Sequence, residues 1–120
     1  MKKFDQPTRV EKPWGHELWW AQTEQYVGKL LHVKAGHKLS LQYHEKKDET
    51  IHLWSGELQL VLDEGNGLAE HVMKPGESYH VKPFTRHRMV AITDCDILEV
   101  STPEVNDVVR LEDAYGRSGK

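Results

Sequence analysis

The feature that most constrains this sequence is a succession of short segments in which apolar and polar residues alternate, cut apart by turn residues. The segments cover residues 26–33, 39–44, 50–54, 57–62, 70–73, 78–81, 87–92 and 97–101. Ala35-Gly36, Ser55-Gly56, Glu64-Gly65-Asn66-Gly67 and Lys74-Pro75-Gly76-Glu77 separate them. In the last of these, Pro presets φ at the first central position and Gly accepts a positive φ at the second, as a type II turn requires. Alternation puts successive side chains on opposite faces, so each segment suits a half-buried strand. Eight such strands at this spacing indicate an all-β sandwich or barrel. Residues 107–116 add either one helical turn or a short strand, and helix content is otherwise expected to be low. Two sheets stacked about 10 Å apart can close around an interior pocket. The 120 residues suffice for a single domain, with a core at about 26–101 and flanking arms at 1–25 and 102–120. No internal repeat, low-complexity tract or linker interrupts it.

Composition then narrows the function classes. The 16 Lys and Arg against 19 Asp and Glu give a net charge of -3, and the basic residues are interleaved with acids, as in Glu45-Lys46-Lys47-Asp48-Glu49. No basic stripe exists for nucleic acid to follow. No apolar run approaches the roughly 20 residues of a membrane span. Met1-Lys2-Lys3-Phe4-Asp5 is followed by no apolar h-region, so a cytoplasmic location is expected. Cys95 stands between Asp94 and Asp96, whose charges disfavour a thiolate, so a structural thiol is expected. The unusual count is histidine: 8 residues against that single cysteine. Imidazole is the commonest metal ligand and a frequent acid or base, which makes the histidines a lead.

The informative stretch is Gly36-His37-Lys38-Leu39-Ser40-Leu41-Gln42-Tyr43-His44, running on to Glu49 and Gly56. Residues two apart on a strand share a face, so Gln42 and His44 point the same way. Glu49 opens the next strand, and an antiparallel return brings it opposite His44. His87 opens a later strand after Pro83-Phe84-Thr85-Arg86. Two imidazoles, a carboxylate and an amide oxygen form a mixed N/O set suited to Zn, Mn, Fe, Co or Ni.

Gly36, five residues, Gln42-Tyr43-His44, four residues, Glu49, six residues and Gly56 resemble the first cupin motif, with Gln in place of the usual first His. Gly76 and, eleven residues on, His87 resemble the second motif. Inside that motif the chain departs, with Lys82 where proline is usual, Phe84 where glycine is usual and Ala91 where asparagine is frequent, so an unusual loop is expected before His87. Lys12-Pro13-Trp14-Gly15, Leu39-Ser40-Leu41-Gln42 and the tail segments 99–104, 107–113 and 115–117 are similar to one cupin subfamily. It is the mannose-6-phosphate isomerase domain at the C-terminus of type II bifunctional enzymes, which also occurs as free-standing small proteins. The resemblance implies a double-stranded β-helix, or jelly roll, and a divalent metal bound by Gln42, His44, Glu49 and His87. Zinc comes first, because Gln-His-Glu-His is also the zinc set of the larger phosphomannose isomerase class; Mn, Fe, Co and Ni are the alternatives. The sequence holds no nucleotidyltransferase domain, so guanylyl transfer is not expected.

The activity so implied is metal-dependent aldose–ketose isomerisation of a sugar phosphate, most like mannose 6-phosphate to fructose 6-phosphate. The alternatives are a non-catalytic cupin that binds a sugar or nucleotide sugar, and a small metal-dependent oxygenase. Gln42 argues against the oxygenase, since iron sites of that kind rely on more imidazole. The isomerase needs a base to carry a proton between C1 and C2. No one residue is singled out: His80 and Lys82 share one parity of the strand before the metal loop and are the candidates named for it, Tyr79 and Val81 have the core parity, and either set can reach the pocket. Arg110, in the family-like tail, is the first choice for phosphate, because Arg recognises planar oxyanions bidentately. Lys46, Lys47, Arg86 and Arg88 rank behind it. The competing role for Arg110 is a surface ion pair with Asp113. His52 is expected on the opposite strand face to Glu49, and His16, His32, His37 and His71 as solvated or locally bonded. Trp19 and Trp20 cannot both face one side of a strand, so one covers a dimer interface or the pocket rim. A homodimer is expected, pairing the sheet edges.

Overall fold

Alternation decides which side of each strand is buried. In β5 (Glu49–Ser55), Glu49, Ile51 and Leu53 are buried while Thr50, His52 and Trp54 are not; β6 (Leu58–Asp63) buries Leu58, Leu60 and Leu62. β10 (Cys95–Ser101) buries Cys95, Ile97, Glu99 and Ser101 on one face. A computed structural model describes residues 3–117 and 119, and among these there are eleven strands and no helix. The others are β1 (Thr8–Lys12), β2 (Gly15–Gln22), β3 (Val27–Val33), β4 (Leu41–Tyr43), β7 (Leu68–Met73), β8 (Ser78–Val81), β9 (His87–Ala91) and β11 (Val109–Glu112).

The strands form two antiparallel sheets, one of six in the order β1-β2-β3-β10-β5-β8 and one of five in the order β11-β4-β9-β6-β7. This is the all-β jelly roll anticipated above. Between the sheets lie Leu31, Val33, Ile51, Leu53 and Ile97 from the larger sheet and Leu58, Leu60, Leu62 and Met89 from the smaller, closed at one side by Trp14. Each such side chain contributes roughly 1.5–3 kcal/mol by leaving water.

Two strands and one route depart from the sequence reading, and the tail resolves as the second of its two alternatives. β1 and β2 form a hairpin around Pro13-Trp14 and extend the larger sheet, so the N-terminal arm is part of the sandwich. Period-2 reading missed β2 because its register shifts between Trp19 and Ala21. A bulge adds one residue and reverses the parity. The tail segment resolves as strand β11, which pairs with β4. Finally, β4 and β5 belong to different sheets, so Glu49 does not return as an antiparallel neighbour of His44. It meets His44 across the interior, while the actual neighbours of β4 are β9, with Gln42 opposite His87, and β11, with Gln42 opposite Arg110.

Candidate metal centre

His44 follows the last residue of β4, Glu49 opens β5 and His87 opens β9, and all three are buried. Glu49 Oε1 lies 3.2 Å from His44 Nε2 and 3.4 Å from His87 Nε2. The candidate ligand atoms of the three residues lie within 4.8 Å of one another. The other nitrogen of each ring is already engaged: His44 Nδ1 sits 2.5 Å from the Asp107 carbonyl and His87 Nδ1 2.9 Å from the Thr85 carbonyl. A carbonyl only accepts, so each Nδ1 carries a proton, and the neutral ring presents a lone pair at Nε2. Both Nε2 atoms are buried without a hydrogen-bond partner among the described residues. Two lone pairs and a carboxylate oxygen thus converge on one point, an arrangement that a cation stabilises and that the protein leaves unmatched. These residues fit a divalent metal.

The surroundings fix the ligands. Asp107 accepts the backbone N–H groups of Glu45, Lys46 and Lys47 while its carbonyl orients His44. Lys47 is buried, 3.2 Å from Glu49 Oε2 and 3.1 Å from Glu99 Oε2. Burial alone would raise the Glu49 carboxyl, but His44 and His87, whenever Nε2 carries a proton rather than a ligand bond, and the Lys47 ammonium outweigh it and hold it well below the usual range. Burial, seconded by Glu49, pushes the Glu99 carboxyl up. In the loop before His87, Phe84 takes a left-handed φ of 66° and donates its N–H to the His44 carbonyl at 2.7 Å.

A cavity of about 340 Å³ opens beside His44. Gln42, His44, Lys47 and Glu99 form part of its wall, and Leu31, Leu39, Met89 and Trp14 supply apolar surface. Lys12, Arg110 and Arg117 bring positive charge. Arg110 makes no ion pair among the described residues, and its Nε is buried without a partner. The proposed Arg110–Asp113 pair is not formed; Asp113 binds Arg117 instead, through two contacts of 3.0 Å. From the N-terminal side come Glu17, Trp19 and Lys29. Trp19 Nε1 donates to Glu17 Oε1 at 2.8 Å, and Lys29 Nζ lies over the indole, 4.1 Å from its centroid.

Of the sequence candidates, Gln42 lies on this wall beside His44, and its Oε1 accepts a 2.6 Å hydrogen bond from Ser40. His80 and Lys82 are exposed and line a separate surface depression with Asp63, Glu64, Tyr79 and Phe84. Val81 is fully buried, so parity turns its two neighbours outward, and His80 Nε2 pairs with Asp48 at 2.5 Å. The structure does not bring them to the cavity. Lys47 reaches it, whereas Arg86 pairs with Asp63 and Arg88 hydrogen-bonds the Leu39 carbonyl. His16 and His32 stack on each other, His37 bonds Tyr115 and His52 bonds Ser78. Cys95 is buried, and burial, then Asp96 and Asp94, push its thiol up.

Glu17, Lys29, Glu99 and Arg117 were missed. For Lys29 and Glu99 a signal existed: each is a charged residue at a core-parity position, between Val27 and Leu31 in β3 and between Ile97 and Ser101 in β10.

Residues 29–101 match the protein family described as Cupin domain. No curated protein matches the sequence. Among solved structures the chain is similar to KdgF from Halomonas sp. (19% identity, TM-score 0.73, covering 82% of this chain and 90% of that one). It is also similar to oxalate decarboxylase from Bacillus subtilis (14%, 0.76, 92% and 33%) and to the capsular polysaccharide assembling protein CapF from Staphylococcus aureus (16%, 0.72, 88% and 34%). The chain thus spans about a third of the latter two, and at these identities the likeness is one of fold.

Proposed function

This chain belongs to the cupin family, and from that premise we propose that it is a metal-dependent aldose–ketose isomerase of a sugar phosphate, most like mannose 6-phosphate to fructose 6-phosphate. The observation that carries the reading is that one cavity joins His44 of the metal-ligand set to Arg110, a guanidinium with no ion-pair partner among the described residues. Arg110 is half-buried with its Nε shut off from solvent, and an unpaired cation so placed is favoured when an anion completes it. A phosphate at Arg110, with Lys12 and Arg117 nearby, would leave the sugar directed toward His44. The volume of about 340 Å³ lies in the range of small-molecule sites, roughly 300–1,000 Å³. Likeness to a capsular polysaccharide assembling protein accords with sugar chemistry.

His44, Glu49 and His87 would hold the metal, with Gln42 as a fourth ligand once its oxygen turns from Ser40. The metal, zinc in the first instance, would polarise the sugar carbonyl and its neighbouring hydroxyl. The chain's own groups do the rest. Proton transfer between C1 and C2 falls to a carboxylate on the cavity wall rather than to His80 or Lys82. Glu17 is the assignment: Trp19 and Lys29 engage its Oε1, and its Oε2 has no partner among the described residues. Glu99 is instead gripped by Lys47, which also holds Glu49. The apolar side of the cavity keeps water from the reacting carbons.

A coupled assay from mannose 6-phosphate to fructose 6-phosphate on metal-loaded protein tests this. Turnover is expected, with Arg110→Ala raising KM by roughly 10- to 100-fold, equivalent to a hydrogen bond to a charged group. Glu17→Gln is expected to lower kcat by about 100-fold or more, the usual contribution of a positioned base. Absence of turnover at saturating metal, with the sugar phosphate still bound, would replace the isomerase by a non-catalytic sugar-binding cupin.

A further inference from the structure

Lys29 is a buried cation whose donors the protein leaves unfilled. It sits at the core parity of β3, 5% exposed, on the cavity wall. Strand register sets it between Trp19 of β2 and Glu99 of β10, in the polar row on the inner face of the larger sheet. The other cations of that wall are placed differently. Lys47 is gripped by Glu49 and Glu99, and Arg117 by Asp113. Lys12 is only half-buried, and Arg110 comes from β11 of the smaller sheet.

Two contacts hold the Lys29 side chain in place without satisfying it. Its Nζ lies 4.1 Å from the centroid of the Trp19 indole and 3.7 Å from Glu17 Oε1. The first is a cation–π contact, and the second an ion pair beyond hydrogen-bond reach. Among the described residues the ammonium makes no hydrogen bond. An ammonium carries three N–H donors, and burying them unmatched is costly. The wall therefore fixes a charged donor beside the cavity and keeps it free for an oxygen that arrives there.

We propose, resting on the isomerase reading with Glu17 as its base, that Lys29 is a further catalytic residue, donating to the sugar oxygen at the reacting carbons. The geometry suits the pair. A donor works about 2.7–3.1 Å from a developing oxyanion, and a carbonyl oxygen stands roughly 1.2 Å from its carbon. A carboxylate and an ammonium 3.7 Å apart can thus reach a carbon and its oxygen together. In the aldose-to-ketose direction Glu17 takes the C2 proton, the C–H electron pair forms the C1–C2 double bond, and the carbonyl pair moves onto O1. Lys29 meets the charge on that oxygen. The hydroxyl proton on O2 then passes to O1, Glu17 returns its proton to C1, and O2 becomes the carbonyl. Because Arg110 and Lys29 belong to different sheets, phosphate and reacting carbons are held by separate cations.

Steady-state kinetics with mannose 6-phosphate and calorimetric titration, both on the metal-loaded full chain, test this in Lys29→Met and Lys29→Gln. The methionine variant is expected to lower kcat by about 100-fold or more, as loss of an oxyanion donor does, with KM within about threefold. Lys29→Gln keeps a neutral donor and should lose about tenfold or more in kcat; it stands if the methionine variant fails to fold. Binding supplies a second readout. An aldonohydroxamate phosphate one carbon shorter than the sugar carries the oxygens of the enediolate and the same phosphate. Its affinity should fall about tenfold or more in either variant, whereas inorganic phosphate, held at Arg110, should bind unchanged. A folded variant with kcat and hydroxamate affinity within about threefold of wild type overturns the proposal and leaves the isomerase in place. An equal loss of inorganic phosphate overturns it too, because Lys29 then acts at the phosphate. A wild type without turnover removes the isomerase reading, and the role of Lys29 with it.

Discussion

His44 and His87 enter the interior with their protonation already set by a backbone carbonyl behind each ring. Asp107 is therefore a positioning residue, holding three N–H groups of the loop and, through its carbonyl, the His44 ring. Asp107→Ala should weaken metal affinity by about 10- to 100-fold without removing a ligand, as the loss of an outer-shell partner does. Isothermal titration with zinc checks this, and an unchanged affinity would remove Asp107 from the scheme. A pH effect follows from the tail. The Arg117 guanidinium beside Asp113 holds that carboxyl below the ordinary aspartate value of 3.8. A lowered folded-state pKa contributes stability that is full above the unfolded value and lost as pH falls through the folded one. The Asp113 contribution, read as the difference in urea stability between wild type and Asp113→Asn, should accordingly be about 1.5 kcal/mol and constant above about pH 5 and shrink below about pH 4, so that the variant has the shallower acid limb. A variant with the wild-type acid limb would contradict the assignment.

At the scale of strands and turns, two motif glycines do different work. Gly36 and Gly56 both have positive φ, 81° and 95°. A Cβ on Gly36 would meet nothing within 4 Å, whereas one on Gly56 would stand 2.2 Å from the Asp94 carbonyl oxygen. Gly36→Ala should cost about 1–2 kcal/mol, the strain of a left-handed residue. Gly56→Ala should cost about 3–5 kcal/mol, the same strain with overpacking added. Equal losses in urea denaturation would show that the clash relaxes freely. The same elements show what the sequence made legible. β6, β8 and β10, and β5 as far as Leu53, keep strict alternation, so their cores could be read directly, and the spacing of His44, Glu49 and His87 was enough to anticipate the cluster. β2 was hidden because one extra residue at Trp20 reverses the parity midway. His80 and Lys82 were drawn toward the site by nearness in sequence to His87, although the buried Val81 between them turns both outward. Glu17 and Lys29 lie far from the motif in sequence and reach the cavity only because the N-terminal hairpin joins the larger sheet.

Over the whole molecule, the two faces of the larger sheet are put to different uses. The inner face carries the polar series Trp19, Lys29 and Glu99 into the cavity, and the outer face carries leucines and tryptophans at the surface. Six of the 8 histidines divide along the same line. His44 and His87 serve the centre, while His16, His32, His52 and His80 lie on outward-facing positions of the larger sheet and are engaged there by neighbouring rings, carboxylates or a hydroxyl. The central claim is that His44, Glu49 and His87 form a metal centre, and metal analysis of the purified chain beside His44→Ala tests it most directly. Stoichiometric divalent metal is predicted in the wild type after incubation with zinc and dialysis, with none retained by a folded His44→Ala variant. A folded wild type that retains no metal, or a His44→Ala variant that keeps the full complement, would contradict it.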